Sequence, residues 1–280
     1  MTTRQVIEVQ RARASQDGAG VAIQRIAGMR HAAMDPVLMI DELRSEQRDD
    51  FAAGFPPHPH RGMQTLTYMK HGGIIHEDNQ GNRGEIRGGG VQWMSAGRGI
   101  IHSEMPTQDT RGLHGFQLWF NLPAAEKMHA PRYRDIPAGE LAKYECDGQH
   151  AIAIAGDWTL GDTRISGPLV ELVPQADMLD LTLQADAVVT VESALEQTLI
   201  AYVYDGSLVD QRGDIASRHL AITGEGEGWE LRAGKAGVGL LLLRGTPLRE
   251  PVANYGPFVM NTPAEIEQAL RDYQAGNFGG

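Results

Sequence analysis

Two short segments carry three imidazoles and a carboxylate in alternation, His58-Pro59-His60 and, further along, His102-Ser103-Glu104. Residues i and i+2 of a β-strand project from the same face, so each pair aims two ligands at one point if its strand lines a cavity. Two such strands side by side would close a four-ligand shell around a metal ion. A closed Cys-rich tetrahedral shell would indicate structural zinc. Mixed nitrogen and oxygen ligation instead suits iron, manganese, cobalt, nickel or copper, with zinc not excluded on ligand type alone. In octahedral geometry four protein ligands leave two open positions, which permit turnover.

The elements that must position these residues are short strands. Thr65–Met69, Ile74-Ile75, Gly84–Arg87 and Val91–Met94 are β-prone runs. They are separated by turn clusters at His71-Gly72-Gly73, Asp78–Asn82 and Gly88-Gly89-Gly90, as a chain of hairpins requires. The spacing fits a β-barrel whose mouth holds a metal. Other polar residues nearby carry weaker signals. His71, His76 and Glu77 flank a hairpin turn, where solvated roles are expected. His31, His114 and His129 are unpaired and read as satisfied core or surface histidines. Arg61 and Arg98 adjoin the ligand motifs and would steer an anionic substrate or buttress a carboxylate. Phe55, Met63 and Trp93 would line an aromatic pocket or simply fill the core.

Along the rest of the chain, Val6–Gln10 and Val21–Ile26 alternate around a turn at Ser15–Gly18 and read as a hairpin. Val37–Ile40 reads as a strand buried on both faces. In His114–Pro123, Phe116, Leu118 and Phe120 share one face while Gln117 and Trp119 share the other. Residues 124–145 read as a surface crossover, after which a second β block begins. Its Leu199–Leu208 run matches Leu66–Ile75 as strand, glycine turn and return strand, which suggests an internal repeat. That block lacks the ligand pairs, with His219 its one histidine after His150, and reads as structural. Thr262-Pro263-Ala264-Glu265 opens a helix with a capping box, and Ile266, Ala269, Leu270 and Tyr273 fall on one face of it. Gly276 is placed to stop it. The expected architecture is all-β, with a metal-binding domain over residues 1–135 and a degenerate domain with the helix over 136–280.

The 34 glycines among 280 residues, without a collagen-like period, point the same way, to a turn-dense β protein. A formal net charge of −11 disfavours direct nucleic-acid contact, which needs clustered Lys and Arg. The lone Cys146 precludes an internal disulfide, and its acidic setting would raise a thiol pKa. The N-terminal residues lack the apolar stretch of a signal peptide and no run reaches membrane-spanning length, so the expectation is a cytoplasmic protein without membrane partners.

The chain resembles the pirin family of the cupin superfamily, in its bacterial, quercetin 2,3-dioxygenase-like form. The resemblance covers nearly the whole length. It rests on Asp35-Pro36 with Asp41-Glu42, on Phe55–Gly62 and on Gly97–Glu104. Leu118–Pro123, Lys127-Met128 with Pro131-Arg132-Tyr133, and Pro247-Leu248 with Gly256–Thr262 extend it. It implies a bicupin of two double-stranded β-helix domains. The general cupin pattern has a glutamate four residues after the second histidine, where this chain has Gln64. The pirin variant takes its carboxylate from the second motif, which assigns His58, His60, His102 and Glu104 as ligands, the set alternation selects, and leaves Gln64 beside the site. The resemblance also favours iron, and implies cleavage of flavonols such as quercetin by O2 with loss of carbon monoxide. Glu104 would then be the base for the flavonol hydroxyl, or a ligand only. The alternative implied activity is that of an iron-bearing, redox-sensing regulator acting through a protein partner.

Overall fold

The computed structural model describes residues 2–146 and 148–278. Strands dominate it, and among the described residues the one α-helix is Pro263–Gln274. Its Thr262 side chain accepts from the Glu265 amide while the Glu265 carboxylate accepts from the Thr262 amide, the capping box expected.

The chain forms two compact units, and they do not follow a split at residue 135. One comprises Met1–Ala12, His31–Pro36 and Glu140–Pro247; the other comprises Arg13–Arg30, Val37–Gly139 and Leu248–Gly280. The ends of the chain are thus exchanged relative to the linear expectation. Val6–Arg11 pairs antiparallel with His219–Thr223, Val9 standing opposite Ala221. The C-terminal helix instead buries Ile266 and Ala269 in a cluster with Phe258, Met260 and Phe278 in the other unit. The N-terminal hairpin is corrected with it: Arg13–Asp17, not Val6–Gln10, pairs with Val21–Ala27.

In the unit that holds both ligand motifs, a seven-stranded sheet runs in the order Arg132–Ile136, Val91–Ser95, Met63–His71, Leu113–Asn121, Val37–Ser45, Val21–Ala27, Arg13–Asp17. A four-stranded sheet runs Phe55–His60, Ile100–Pro106, Gly73–Asp78, Arg83–Arg87. Val21, Ile23, Leu43, Met69 and Leu113 from the first sheet pack with Ile74 and Ile86 from the second. Each buried side chain of this kind contributes about 1.5–3 kcal/mol. Prolines at 56, 57 and 59 remove backbone donors, which confines Phe55–His60 to a sheet edge. It is indeed the edge strand, and the two histidines ride on it.

The other unit is built on a nine-stranded sheet around Leu179, Leu181, Leu199, Val203, Leu231, Leu240 and Leu242, with Trp158. Here the expected hairpin at Gly206 is absent. Thr198–Asp210 is one continuous strand, and Gly206, at φ +60°, makes a bulge in it rather than a turn.

Candidate metal centre

Register brings the two ligand motifs together. His102 stands opposite His58 and Ile100 opposite His60, so the alternation on the two strands points His58, His60 and His102 to the same side. One ring nitrogen from each of the three lies within 4.8 Å of the others, and the ring centroids are 4.4–4.9 Å apart. His60 and His102 are buried, and His58 is half-buried at the cavity rim. Gly62 closes the first motif at φ +75°, where a Cβ would sit 2.1 Å from the Val259 carbonyl oxygen; no other residue fits this turn.

The free nitrogens show what the cluster needs. Among the described residues, neither ring nitrogen of His60, nor Nε2 of His102, has a hydrogen-bond partner although all three are buried; the Pro257 carbonyl approaches His60 without hydrogen-bonding geometry. Leaving such an atom unsatisfied costs about 1–3 kcal/mol. Burial first, and the neighbouring imidazoles second, hold His60 and His102 well below the usual histidine range, so both are neutral and present lone pairs. His58 donates Nδ1–H to the Pro56 carbonyl at 2.9 Å, which leaves its Nε2 lone pair available. Three converging imidazoles, each with a ring nitrogen that no other described residue engages, fit a transition-metal ion.

Glu104 sits beside this group rather than within it, buried and facing the same space. Its carboxylate accepts from Thr67 Oγ1 at 3.1 Å and from Gln117 Nε2 at 3.1 Å. Burial pushes the Glu104 carboxyl up, against the pull of the nearby His58 and of these two hydrogen bonds. Above His58, His60 and Glu104 opens a cavity of about 690 Å³. Its walls are largely apolar, with Met29, Leu38, Met39, Phe55 and Trp119 among them, and Trp119 meets His60 edge to face at 5.2 Å. One wall is polar: Arg25 pairs with Asp41 through Nε at 2.8 Å and Nη2 at 2.5 Å, and also bonds Asp17.

The remaining sequence candidates divide. Gln117 and Trp119 face the cavity while Phe116, Leu118 and Phe120 are buried on the opposite face, as the alternation requires. Of the three aromatic-pocket candidates Phe55 lines the cavity, whereas Met63 and Trp93 are core. Gln64 accepts from Trp93 Nε1 at 3.2 Å and does not line the cavity. Arg61 does not line the cavity. It is 3% exposed, donates to the Arg98 carbonyl and to Asp272 on the C-terminal helix, and stacks on Phe278. Arg98 is half-buried and also lies off the cavity wall. His114 and His129 bond Glu42 and Ser95, and His31 bonds Glu8 through Nε2 while its Nδ1 is buried without a partner among the described residues. His71 and Glu77 are exposed, but His76 is not: it is fully buried, with Nδ1 3.2 Å from His102 Nδ1 and Nε2 3.1 Å from Asp78 Oδ2. Cys146 is exposed and unpaired. No helix of the described residues is long and apolar enough to cross a membrane.

Residues 20–120 match the pirin family and residues 178–279 the pirin C-terminal cupin domain. The chain belongs to the pirin family. A Vibrio cholerae pirin relative provisionally named quercetin 2,3-dioxygenase is 44% identical over 98% of this chain and 98% of its own length. Pirin of Mus musculus is 36% identical over 94% of this chain and 89% of its own. A crystal structure of quercetin 2,3-dioxygenase from Acinetobacter baumannii superposes with a TM-score of 0.89 at 28% identity, covering 99% of both chains. Pirins are bicupins, and the two strand-built units with a short C-terminal helix are this chain's version of that fold.

Proposed function

We propose that this protein is a metal-dependent dioxygenase that cleaves quercetin or a related flavonol with O2 and releases carbon monoxide. One iron ion per chain would be held by His58, His60 and His102, with Glu104 as fourth ligand. The observation that carries the reading is the cavity of about 690 Å³ lined by His58 and His60, two of the three converging imidazoles, and by Glu104. That volume lies within the range of small-molecule sites, which are mostly apolar with a few placed polar groups. A closed structural site would have no such space. The relatives named for quercetin cleavage support the same substrate class.

When bound, the ion supplies a Lewis acid that favours the deprotonated flavonol hydroxyl and a redox partner for O2. The chain's own residues do the rest. Phe55, Met39, Leu38 and Trp119 offer apolar surface to a flat polycyclic ring system and exclude water from it. Glu104, buried and facing the cavity beside the imidazoles, is the base that takes the hydroxyl proton through a carboxylate oxygen left basic for it. Gln117 and Thr67 hold its two oxygens in place by donating to them. Arg25 and Asp41 supply a donor and acceptor pair for the hydroxyls at the substrate's far end. In the overall reaction the substrate gains both atoms of O2 and loses one ring carbon, with its own oxygen, as carbon monoxide. The exposed thiol of Cys146 suits a reducing cytoplasm.

The test is turnover: iron-loaded protein and quercetin in air should bleach the flavonol absorbance and evolve carbon monoxide, and the His102→Ala protein should do neither. Lack of turnover with several flavonols and metals, together with a protein partner bound differently by the ferrous and ferric forms, would replace the enzyme with a regulator.

A further inference from the structure

On the strand next to the ligand strand lies a fully buried histidine with no part in the chemistry so far. Gly73–Asp78 pairs with Ile100–Pro106 so that His76 stands opposite Glu104 and Asp78 opposite His102. The side chains of His76 and Asp78 are both 0% exposed. The His76 ring stacks on Tyr133 at 4.5 Å, and the Tyr133 hydroxyl is fixed in turn by donating to Asp135 at 2.7 Å and accepting from Gln92 at 2.9 Å. Asp78 accepts from the Gln80 and Asn82 amides at 2.9 and 3.0 Å, from Asn82 Nδ2 at 2.8 Å, and lies 3.1 Å from His76 Nε2.

Proton bookkeeping gives this chain of contacts one direction. The Nδ1 atoms of His76 and His102 are 3.2 Å apart, so one of them carries a proton and the other a lone pair. His102 has Nε2 left for the cluster, and a neutral imidazole that offers a lone pair there must carry its proton on Nδ1. His76 Nδ1 is then the acceptor, and the His76 proton sits on Nε2, donated to Asp78. The reverse arrangement would set the Nε2 lone pair of His76 against a carboxylate oxygen inside the protein, a buried contact between two acceptors.

We propose that Asp78 and His76 are a positioning pair for the metal centre: Asp78 fixes the tautomer of His76, and His76, accepting from His102 Nδ1–H, holds the His102 Nε2 lone pair toward the ion. The inference rests on the metal-centre reading for its consequence. The three imidazoles then become chemically unequal. His58 donates to a neutral backbone carbonyl, whereas His102 is backed through His76 by a carboxylate. Partners of this kind typically contribute 10–100-fold to metal affinity.

Two measurements test the pair and separate its failure from that of the metal site. Long-range ¹H–¹⁵N correlation spectra of the metal-free protein report imidazole tautomers directly; they should show the proton on Nδ1 of His102 and on Nε2 of His76. A proton on Nε2 of His102 or on Nδ1 of His76 overturns the proposal while leaving the three-histidine site standing. The second measurement compares ferrous and cupric affinity in His76→Leu and His76→Asn, because the amide oxygen of Asn can occupy the Nδ1 position and accept from His102. His76→Leu should bind about 10–100-fold more weakly, and His76→Asn should recover most of the loss. The remote-nitrogen signal in pulsed EPR of the copper form should change in His76→Leu and in Asp78→Asn. Wild-type affinity and an unchanged spectrum in His76→Leu overturn the pair. If that variant does not fold, Asp78→Asn and the wild-type tautomers still decide. A wild-type chain that binds no ion sinks the metal reading, and the tautomers then stand as a structural finding alone.

Discussion

Glu104→Gln separates the roles of this side chain, because the local hydrogen bonding can absorb the change. At present Thr67 has one hydroxyl proton for two acceptors, Glu104 Oε1 at 3.1 Å and Gln117 Oε1 at 2.5 Å, while Gln117 Nε2 donates to Glu104 Oε2. After substitution the introduced amide oxygen still accepts from Gln117, its NH2 group donates to Thr67 Oγ1, and the Thr67 proton goes to Gln117. Every group remains satisfied, and a desolvated carboxylate is removed. The melting temperature of the metal-free protein should therefore change by no more than about 2–4 °C, equivalent to about 1 kcal/mol in a chain of this size. Loss of the base should lower turnover per bound metal at least about a hundredfold, or about 2.7 kcal/mol in barrier. The assay is flavonol bleaching normalised to metal occupancy by elemental analysis, with calorimetry on the metal-free protein. Turnover that tracks occupancy one for one would refute the base role. A large drop in melting temperature would refute the hydrogen-bond account.

His60→Ala should lower metal affinity steeply while unfolding stays cooperative, since the β core supplies most of the burial; elemental analysis after dialysis and a denaturant melt check both parts. Metal-free protein should lose stability as pH falls below about 6.5, the ordinary histidine value. His60 and His102 are held neutral by burial, so below that pH the unfolded chain binds protons that the folded chain does not; each contributes a slope of up to about 1.4 kcal/mol per pH unit until its own lowered pKa is reached. Glu104 opposes this in part, because its raised pKa lets the folded state bind a proton first, and denaturant titrations from pH 7 to pH 5 measure the net slope. Trp119→Ala should raise KM for flavonols and leave metal affinity within about threefold, since it removes a cavity wall and no ligand.

What the sequence made legible follows from periodicity. Strand alternation is strictly two, so His58-Pro59-His60 and His102-Ser103-Glu104 declare shared faces, and Gln117 and Trp119 declare theirs, without knowledge of any partner strand. The capping box at Thr262 is equally local. What was hidden depends on register between distant segments. Nothing local distinguishes His76 from His71 on the other side of the glycine turn, yet register sets one opposite Glu104 and the other is left exposed. Arg25 meets Asp41 only because Val21–Ala27 pairs with Val37–Ser45. The exchange of chain ends was hidden for the same reason: the alternation of Val6–Gln10 fits any strand, and only the pairing with His219–Thr223 assigns it to the second unit.

On the proposed function, this site adds both atoms of O2 to a flavonol under a metal held by three histidines. Turnover of quercetin by iron-loaded protein under oxygen-18 gas, with product and headspace followed by mass spectrometry, tests it most directly. Two heavy oxygens are expected in the ring-opened ester, with carbon monoxide without label and no product from His58→Ala or His102→Ala. Hydrogen peroxide with an unlabelled organic product, or equal turnover by the metal-free protein, would contradict it.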